Sequence, residues 1–341
     1  VIAVQRNFLL KSYNTFGISA FAKAYTAVTT LQQLKEALTY FTSEYVFLLG
    51  AGSNMLLTKD IDKAVVHILL KGITIVKKES DNVYLQVMAG ENWHKLVMYC
   101  VENNLAGMEN MALIPGNVGA APIQNIGAYG VELKDIFHSC EVMNIKTQEI
   151  KTMSLAACDF SYRESVFKNE LRGMYVITSV TFKLTDVSAN TGYAFKTGYG
   201  DIKTALEQLG EASIKNIAQA VINIRSSKLP DPAVLGNSGS FFKNPVVPKT
   251  VYETLLPKFP DMPHYPINEH EVKVPAGWLI DQCGLRGYRK GDAAVHDRQA
   301  LVLVNHGNAT GDEILQLAKH VQHTILERYG IAIETEVNII A

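Results

Sequence analysis

The seventeen residues Ile114–Gly130, IPGNVGAAPIQNIGAYG, contain four glycines and two prolines and carry no charge. Helix and strand interiors tolerate Gly and Pro poorly, and loops on a surface are usually polar. An uncharged loop of this length is therefore built to lie against something other than water. Glycine backbone has no Cβ and accepts positive φ, so it can approach a ligand closely. Its N–H groups can also receive phosphate oxygens. A tight loop packed between two domains meets the same description, and the segment alone leaves both readings open.

With 341 residues, the chain is long enough for two or three domains with a substantial core. Its 48% hydrophobic and 19% charged residues are those of an ordinary globular protein, and a formal net charge of −1 gives no electrostatic case for nucleic acid or an anionic membrane. No apolar run reaches the length of a membrane span, and the N-terminus lacks a signal-peptide pattern. A cytoplasmic location is expected. Cys100, Cys140, Cys158 and Cys283 are widely spaced and form no CxxC pair, which favours free thiols over a metal site.

The first 70 residues read as alternating strand and helix. Thr30 and Gln33 form a capping box, and Leu31, Leu34, Ala37, Leu38 and Phe41 line one helical face. Val46–Leu49 is a buried strand running into Gly50-Ala51-Gly52-Ser53-Asn54, which begins like a dinucleotide-binding fingerprint. The third glycine of that fingerprint falls on Met55, and the residues that follow are strand-like. The helix N-terminus that would hold a pyrophosphate in a Rossmann fold is missing, so that fold is rejected.

Strands are expected near Ala64–Leu70, Ile73–Lys77, Val83–Met88 and Val176–Leu184, with a hairpin across Ile145–Ile150. Helices are expected near Glu91–Asn104, with Trp93, Leu96, Val97 and Cys100 inward, near Leu155–Phe160, and over Ile214–Ser226. Asp186–Asp201 reads as a loop. A last helix begins with a second capping box, Thr310 and Glu313, and carries Ile314, Leu317, Val321 and Ile325 on one face. It leads into Ile331–Ile340, read as one alternating strand. Strands and helices mixed without strict βαβ order point to an α+β fold.

Ser240-Phe241-Phe242-Lys243 matches the S-x-x-K of penicillin-recognising enzymes, and Lys196-Thr197-Gly198 their K-T-G. The order of the two is reversed here, and Pro245 with the flanking glycines disfavours the helical turn that S-x-x-K needs. The ordinary readings of the remaining polar residues are bland: Ser240 a turn serine, Glu336 an exposed strand carboxylate, Arg163 a surface arginine, Lys228 a helix C-terminal lysine, Tyr199 a loop aromatic.

Taken together and in order, GAGSN, IPG…AAPIQNIGAYG, SYRES, TGYGD, SSKLPDP, GNSGSFFKNP, AGWLIDQCGL and ETEV resemble the UDP-N-acetylenolpyruvylglucosamine reductase (MurB) family, of the longer type with a tyrosine-bearing loop. The resemblance runs from Asn14 to Val337. It implies an α+β flavoenzyme: a PCMH/VAO-type FAD-binding fold of two subdomains, plus an α+β substrate-binding domain. The implied divisions are residues 1–70 completed by 330–341, residues 71–226, and residues 227–329.

The resemblance further implies non-covalent FAD, NADPH as co-substrate, and reduction of the enolpyruvyl ether of UDP-N-acetylglucosamine in cell-wall synthesis by a monomer. FAD contacts fall on Gly50, Ala51, Gly52, Ser53 and Asn54, and on Pro115, Gly116, Gly119, Ala120, Ile126, Gly127 and Tyr129. Hydride from flavin N5 to the terminal carbon leaves charge on its neighbour and on the carboxylate. Ser240 is then the implied proton donor, and Arg163 and Glu336 polarise the carboxylate. Tyr199, Lys228, Asn244, Tyr265 and Gln299 are the implied UDP-sugar ligands. The family often has Arg where this chain has Asn338. A flavin-binding protein of this fold that has lost catalysis is the competing reading, and intact Ser240, Arg163 and Glu336 argue against it.

Overall fold

The computed structural model describes residues 1–42 and 45–341. The chain folds into two compact units that each take several segments. One comprises Val1–Phe8, Ala22–Ala51 and Ile61–Ser227; the other comprises Leu9–Phe21, Gly52–Asp60 and Lys228–Ala341.

Among the described residues, the first unit contains a short two-stranded hairpin and two large sheets. In the smaller, strands Phe21–Val28 and Val46–Leu49 flank Ile61–Ile68 and run parallel to it. Parallel neighbours need a crossover, and helix α1 (Leu31–Tyr40) supplies one. Thr30 caps α1 by accepting the Gln33 N–H at 3.1 Å. The expected return arm reaches one residue further back, where Gln33 Oε1 accepts from the Thr29 N–H at 2.8 Å. Leu34, Ala37 and Leu38 bury the inner face of α1 against Val28, Val66 and Ile68.

The larger sheet is antiparallel, in the order Ile150–Ser154, Phe137–Asn144, Tyr175–Asp186, Asn82–Met88, Ile73–Glu79. Helix α2 (Trp93–Glu102), capped by Asn92, buries Trp93, Leu96, Val97 and Cys100 in the same core as this sheet. Helix α3 (Ile202–Leu209), which the sequence reading did not anticipate, and helix α4 (Ile214–Lys228) add Ile202, Ala218 and Val221 to that core.

In the second unit, Gly236–Ser240, Val302–Asn305, Ala293–Val295 and Arg289–Lys290 form an antiparallel sheet. Helices α5 (Lys249–Leu255), α6 (Ala276–Gln282) and α7 (Gly311–Tyr329) complete the unit. Both arms of the Thr310/Glu313 capping box are formed, and Ile314, Leu317, Val321 and Ile325 are all buried. Each such side chain contributes about 1.5–3 kcal/mol of burial.

The C-terminal strand is shorter than expected. Only Asn338–Ile340 is a strand, parallel to Met55–Leu57. Ile331, Ile333 and Val337 are buried as the alternation requires. The segment before Asn338, however, makes only an isolated bridge, Thr335 to Phe242. Alternate burial here reflects two short pairings with different partners, rather than one continuous ladder.

Candidate active site

In the first unit, the glycine-rich stretch begins in a compact turn, Val118–Ile123. The Val118 N–H donates to the Glu91 carbonyl and the Gly119 N–H to the Ala89 carbonyl, both at 2.9 Å. Gly119 therefore contributes closeness. A Cβ there would stand 2.5 Å from the Ala89 Cβ, so only glycine lets the turn sit against that strand end.

The stretch ends in a two-residue hairpin between Gly127–Ala128 and Val131–Glu132. Its tip, Tyr129 and Gly130, has φ of 49° and 80°. Paired left-handed residues match the twist of the flanking strands. Arg163, itself at φ 57°, braces this hairpin: Nη2 donates to the Gly127 carbonyl at 2.9 Å and Nη1 to the Asn125 carbonyl at 3.4 Å. Buried Asn125 ties the same region together, donating to the Ser161 carbonyl at 3.0 Å and accepting the Lys134 N–H at 3.0 Å.

A cavity of about 140 Å³ opens between Leu48, Leu49 and Gly50 on one side and Asn117, Gly119, Ala120 and Ile123 on the other. The beginning of the first glycine loop and the turn of the second thus line one space. His67 steadies the Gly50 side: it bonds the Gly50 backbone, while its Nδ1 lies 2.8 Å from the Tyr25 hydroxyl.

Just before the stretch begins, the Nδ1 of His94 accepts the Leu113 N–H at 3.2 Å. Arg225 of α4 lies within electrostatic reach of both His94 and Tyr129. Its Nε is sealed from solvent and has no hydrogen-bond partner, and burial lowers the pKa of the guanidinium. A sealed N–H without a partner is costly unless an acceptor joins it. A lined cavity and an orphaned cationic atom beside the second loop fit a phosphate-bearing cofactor. Sequence reasoning missed Arg225 because an arginine on a helix is unremarkable until its partners are known.

Tyr199 belongs to this unit too. It is 56% exposed and meets the Tyr129 ring edge-on at 6.3 Å between centroids.

In the second unit, Ser240 sits at the end of a bulged strand. The register slips between Asn237 and Ser240, Gly239 takes φ 70°, and the Gly239 N–H donates to Asn237 Oδ1 at 2.9 Å. Asn237 is itself fixed, donating to the Pro230 carbonyl at 3.1 Å and the Leu235 carbonyl at 2.8 Å. The bulge re-aims the chain, so Ser240 ends a strand and is not in the helical turn that S-x-x-K would need. Phe241 and Phe242 beyond it are almost wholly buried.

Glu336 is brought alongside. Its N–H donates to the Phe241 carbonyl at 2.8 Å, and the Lys243 N–H donates to the Glu334 carbonyl at 2.9 Å. The Glu336 carbonyl accepts from Asn54 Nδ2 at 3.4 Å. Asn338, the residue that departs from the family pattern, donates through Nδ2 to the Asn54 carbonyl at 2.9 Å. It thereby anchors the end of the first glycine loop, which contains Gly52 and Ser53.

Gln299 occupies a turn held by His296, whose Nδ1 accepts the Arg298 and Gln299 N–H groups at 3.3 and 3.2 Å. Asn244 Oδ1 accepts the Ala276 N–H at 2.9 Å, capping α6 from a distance. Tyr265 is 55% exposed, and Lys228 is exposed at the end of α4. Ser240, Glu336, Asn54, Asn244, Tyr265, Gln299 and Lys228 thus belong to one unit, and Arg163, Tyr199, Pro115, Gly116, Ile126, Gly127 and Tyr129 to the other. Among the described residues, no cluster of His, Cys, Asp or Glu has the makings of a metal site, and no helix is long and apolar enough to cross a membrane.

Two family models match the chain: an FAD binding domain over residues 22–154 and the UDP-N-acetylenolpyruvoylglucosamine reductase C-terminal domain over residues 231–340. The UDP-N-acetylenolpyruvoylglucosamine reductase of Flavobacterium johnsoniae is 55% identical, with 99% of each chain covered. That of Neisseria gonorrhoeae is 48% identical over 96% of this chain and 95% of its own. The crystal structure of the Thermus caldophilus enzyme (MurB) shares the fold, with a TM-score of 0.70 and 24% identity over the full length of both chains. The chain belongs to the UDP-N-acetylenolpyruvoylglucosamine reductase family, FAD- and NADPH-dependent oxidoreductases of peptidoglycan-precursor synthesis.

Proposed function

We propose that, within this reductase activity, Ser240 donates the proton that completes reduction of the enolpyruvyl double bond, with Glu336 and Arg163 acting on the substrate carboxylate. The observation that carries this reading is the hydrogen bond from the Glu336 N–H to the Phe241 carbonyl, which sets the carboxylate's backbone one residue from the serine.

Bound FAD would supply the terminal carbon of the enolpyruvyl group with a hydride drawn from NADPH. The protein must then manage charge on the adjacent carbon. A serine hydroxyl is a weak acid, but an enolate-like carbanion is basic enough to take its proton when the geometry is held. The bulge at Gly239 and the buried Phe241–Phe242 pair hold it. Arg163, together with Glu336 when it is protonated, stabilises charge spreading into the carboxylate, a contribution that grows as water is excluded.

FAD itself is held by Gly50–Asn54, by Pro115, Gly116, Gly119, Ala120, Ile126, Gly127 and Tyr129, and by Arg225 as a cation for its anionic parts. Since the Gly119 N–H is committed to Ala89, that residue supplies space and other amides supply the hydrogen bonds. Tyr199, Lys228, Asn244, Tyr265 and Gln299 bind the UDP-sugar. The cofactor half is drawn from residues 1–70 with 330–341 and from 71–226, and the substrate domain from 227–329. NADPH and the UDP-sugar use the site in turn, which gives ping-pong kinetics, in a cytoplasmic monomer.

Ser240→Ala separates the half-reactions. NADPH still bleaches the flavin, while reoxidation by the enolpyruvyl substrate slows about 10²–10⁴-fold, the range general acids contribute. Stopped-flow absorbance measures both. Unchanged reoxidation removes Ser240 from its assigned role.

A further inference from the structure

Asn110 lies in the helical turn Glu109–Met111 and is 1% exposed. Its Nδ2 donates to the Tyr129 carbonyl at 3.0 Å and to the Lys196 carbonyl at 2.8 Å. One amide group thus joins the tip of the glycine-rich hairpin to the irregular segment 187–201, which carries Tyr199. An amide nitrogen carries two hydrogens in a fixed fork, so both are spent on loops, and neither acceptor lies in a helix or ladder.

Other contacts converge on the same joint. A Cβ on Gly130 would reach the Tyr199 Cβ at 3.3 Å, and the Tyr129 and Tyr199 rings meet edge-on. Lys196 Nζ pairs with Asp135 Oδ2 at 3.0 Å on the outside. That pair is half-exposed and contributes little, which leaves the buried amide as the principal polar tie. Next to it, Glu109 is buried and accepts the Gly107 N–H at 2.7 Å, fixing the turn that carries Asn110.

We propose that Asn110 is a positioning residue for substrate capture: by holding the Tyr129 and Lys196 carbonyls at one point, it sets Tyr199 relative to the flavin-binding hairpin. This rests on the reading of Tyr199 as a UDP-sugar ligand. A leucine has nearly the same volume and no donor, so it leaves both carbonyls without that partner and releases the loop.

The test is a double-mutant cycle on FAD-loaded enzyme. Asn110→Leu raises the KM for the UDP-enolpyruvyl sugar about tenfold, the worth of two such hydrogen bonds, with flavin bleaching at saturating NADPH within about twofold. Tyr199→Ala raises the same KM, and adding Asn110→Leu to it changes nothing further. A KM unaltered by Asn110→Leu, an equal rise on top of Tyr199→Ala, or bleaching slowed in parallel each overturns the proposal. Tyr199→Ala with an unaltered KM overturns the reading of Tyr199 instead. Should the leucine variant fail to retain FAD, Asn110→Ser removes both amide hydrogens with less disruption and carries the same comparison.

Discussion

Ser240 owes its presentation to neighbours that do no chemistry. Gly239 at φ 70° makes the bulge possible, and nothing lies within 4 Å of where its Cβ would be. Gly239→Ala therefore meets strain without a clash, costing about 1–2 kcal/mol for a left-handed L-residue. The expected outcome is a modestly lower urea midpoint and a fall in kcat, with FAD affinity unchanged; a loss of FAD would mean that the bulge serves the cofactor instead. Asn338 makes a related point. Its side chain bonds the Asn54 carbonyl, so a departure from the family pattern still has a task on the first glycine loop. From the sequence it reads only as a missing arginine, because its partner lies across a parallel strand pair.

Elements that carry their own signals were legible. The boundaries of α7 follow from Thr310 and Glu313 at one end and Gly330 in a left-handed conformation at the other. Thr310→Ala should cost about 1 kcal/mol by removing the side-chain arm of the box, the bond from the Glu313 N–H to the Thr310 hydroxyl, read as a lower denaturant midpoint with an unchanged m-value. A larger loss would show that Thr310 does more than cap. Elements that depend on distant partners were not legible. The alternation in Ile331–Ile340 resembles one strand, yet the backbone serves Phe241 and Lys243 first and Met55–Leu57 afterwards. Helix α3 is short and contributes one fully buried residue, Ile202, too little periodicity to separate from the loop before it. The same divide runs through the site. Motif residues stand out in the sequence, whereas the contacts of Asn110, Arg225 and His296 depend on the carbonyls, amides and phenol that folding brings to them.

Across the molecule, three histidines hold three functional loops while neutral. His67 bonds the Gly50 backbone and the Tyr25 hydroxyl, His94 accepts the Leu113 N–H, and His296 accepts the N–H groups of Arg298 and Gln299. Burial is the leading cause that lowers all three below the ordinary 6.5; nearby cations add to it, Lys71 at His67, Arg225 at His94, and Arg298 with His306 at His296. At His67 the Gly50 hydrogen bond partly offsets the effect, and at His296 Asp297 does. A base with a depressed folded pKa is protonated first in the unfolded chain. As pH falls through 6.5, the unfolded state binds more protons and stability declines until the folded pKa values are passed. Buried Glu109 works in the opposite sense: burial raises its pKa above 4.5, so its protonation relieves a penalty in the folded state and returns some stability at lower pH. The histidines outnumber it and act first on acidification. Urea unfolding of the FAD-loaded enzyme should therefore show a midpoint that is flat above about pH 7 and falls below about pH 6.5, with FAD released over the same range. The sequence of events is specific. His94→Asn removes one titrating group and should make the decline shallower, and a decline of unchanged steepness would exclude His94 from it.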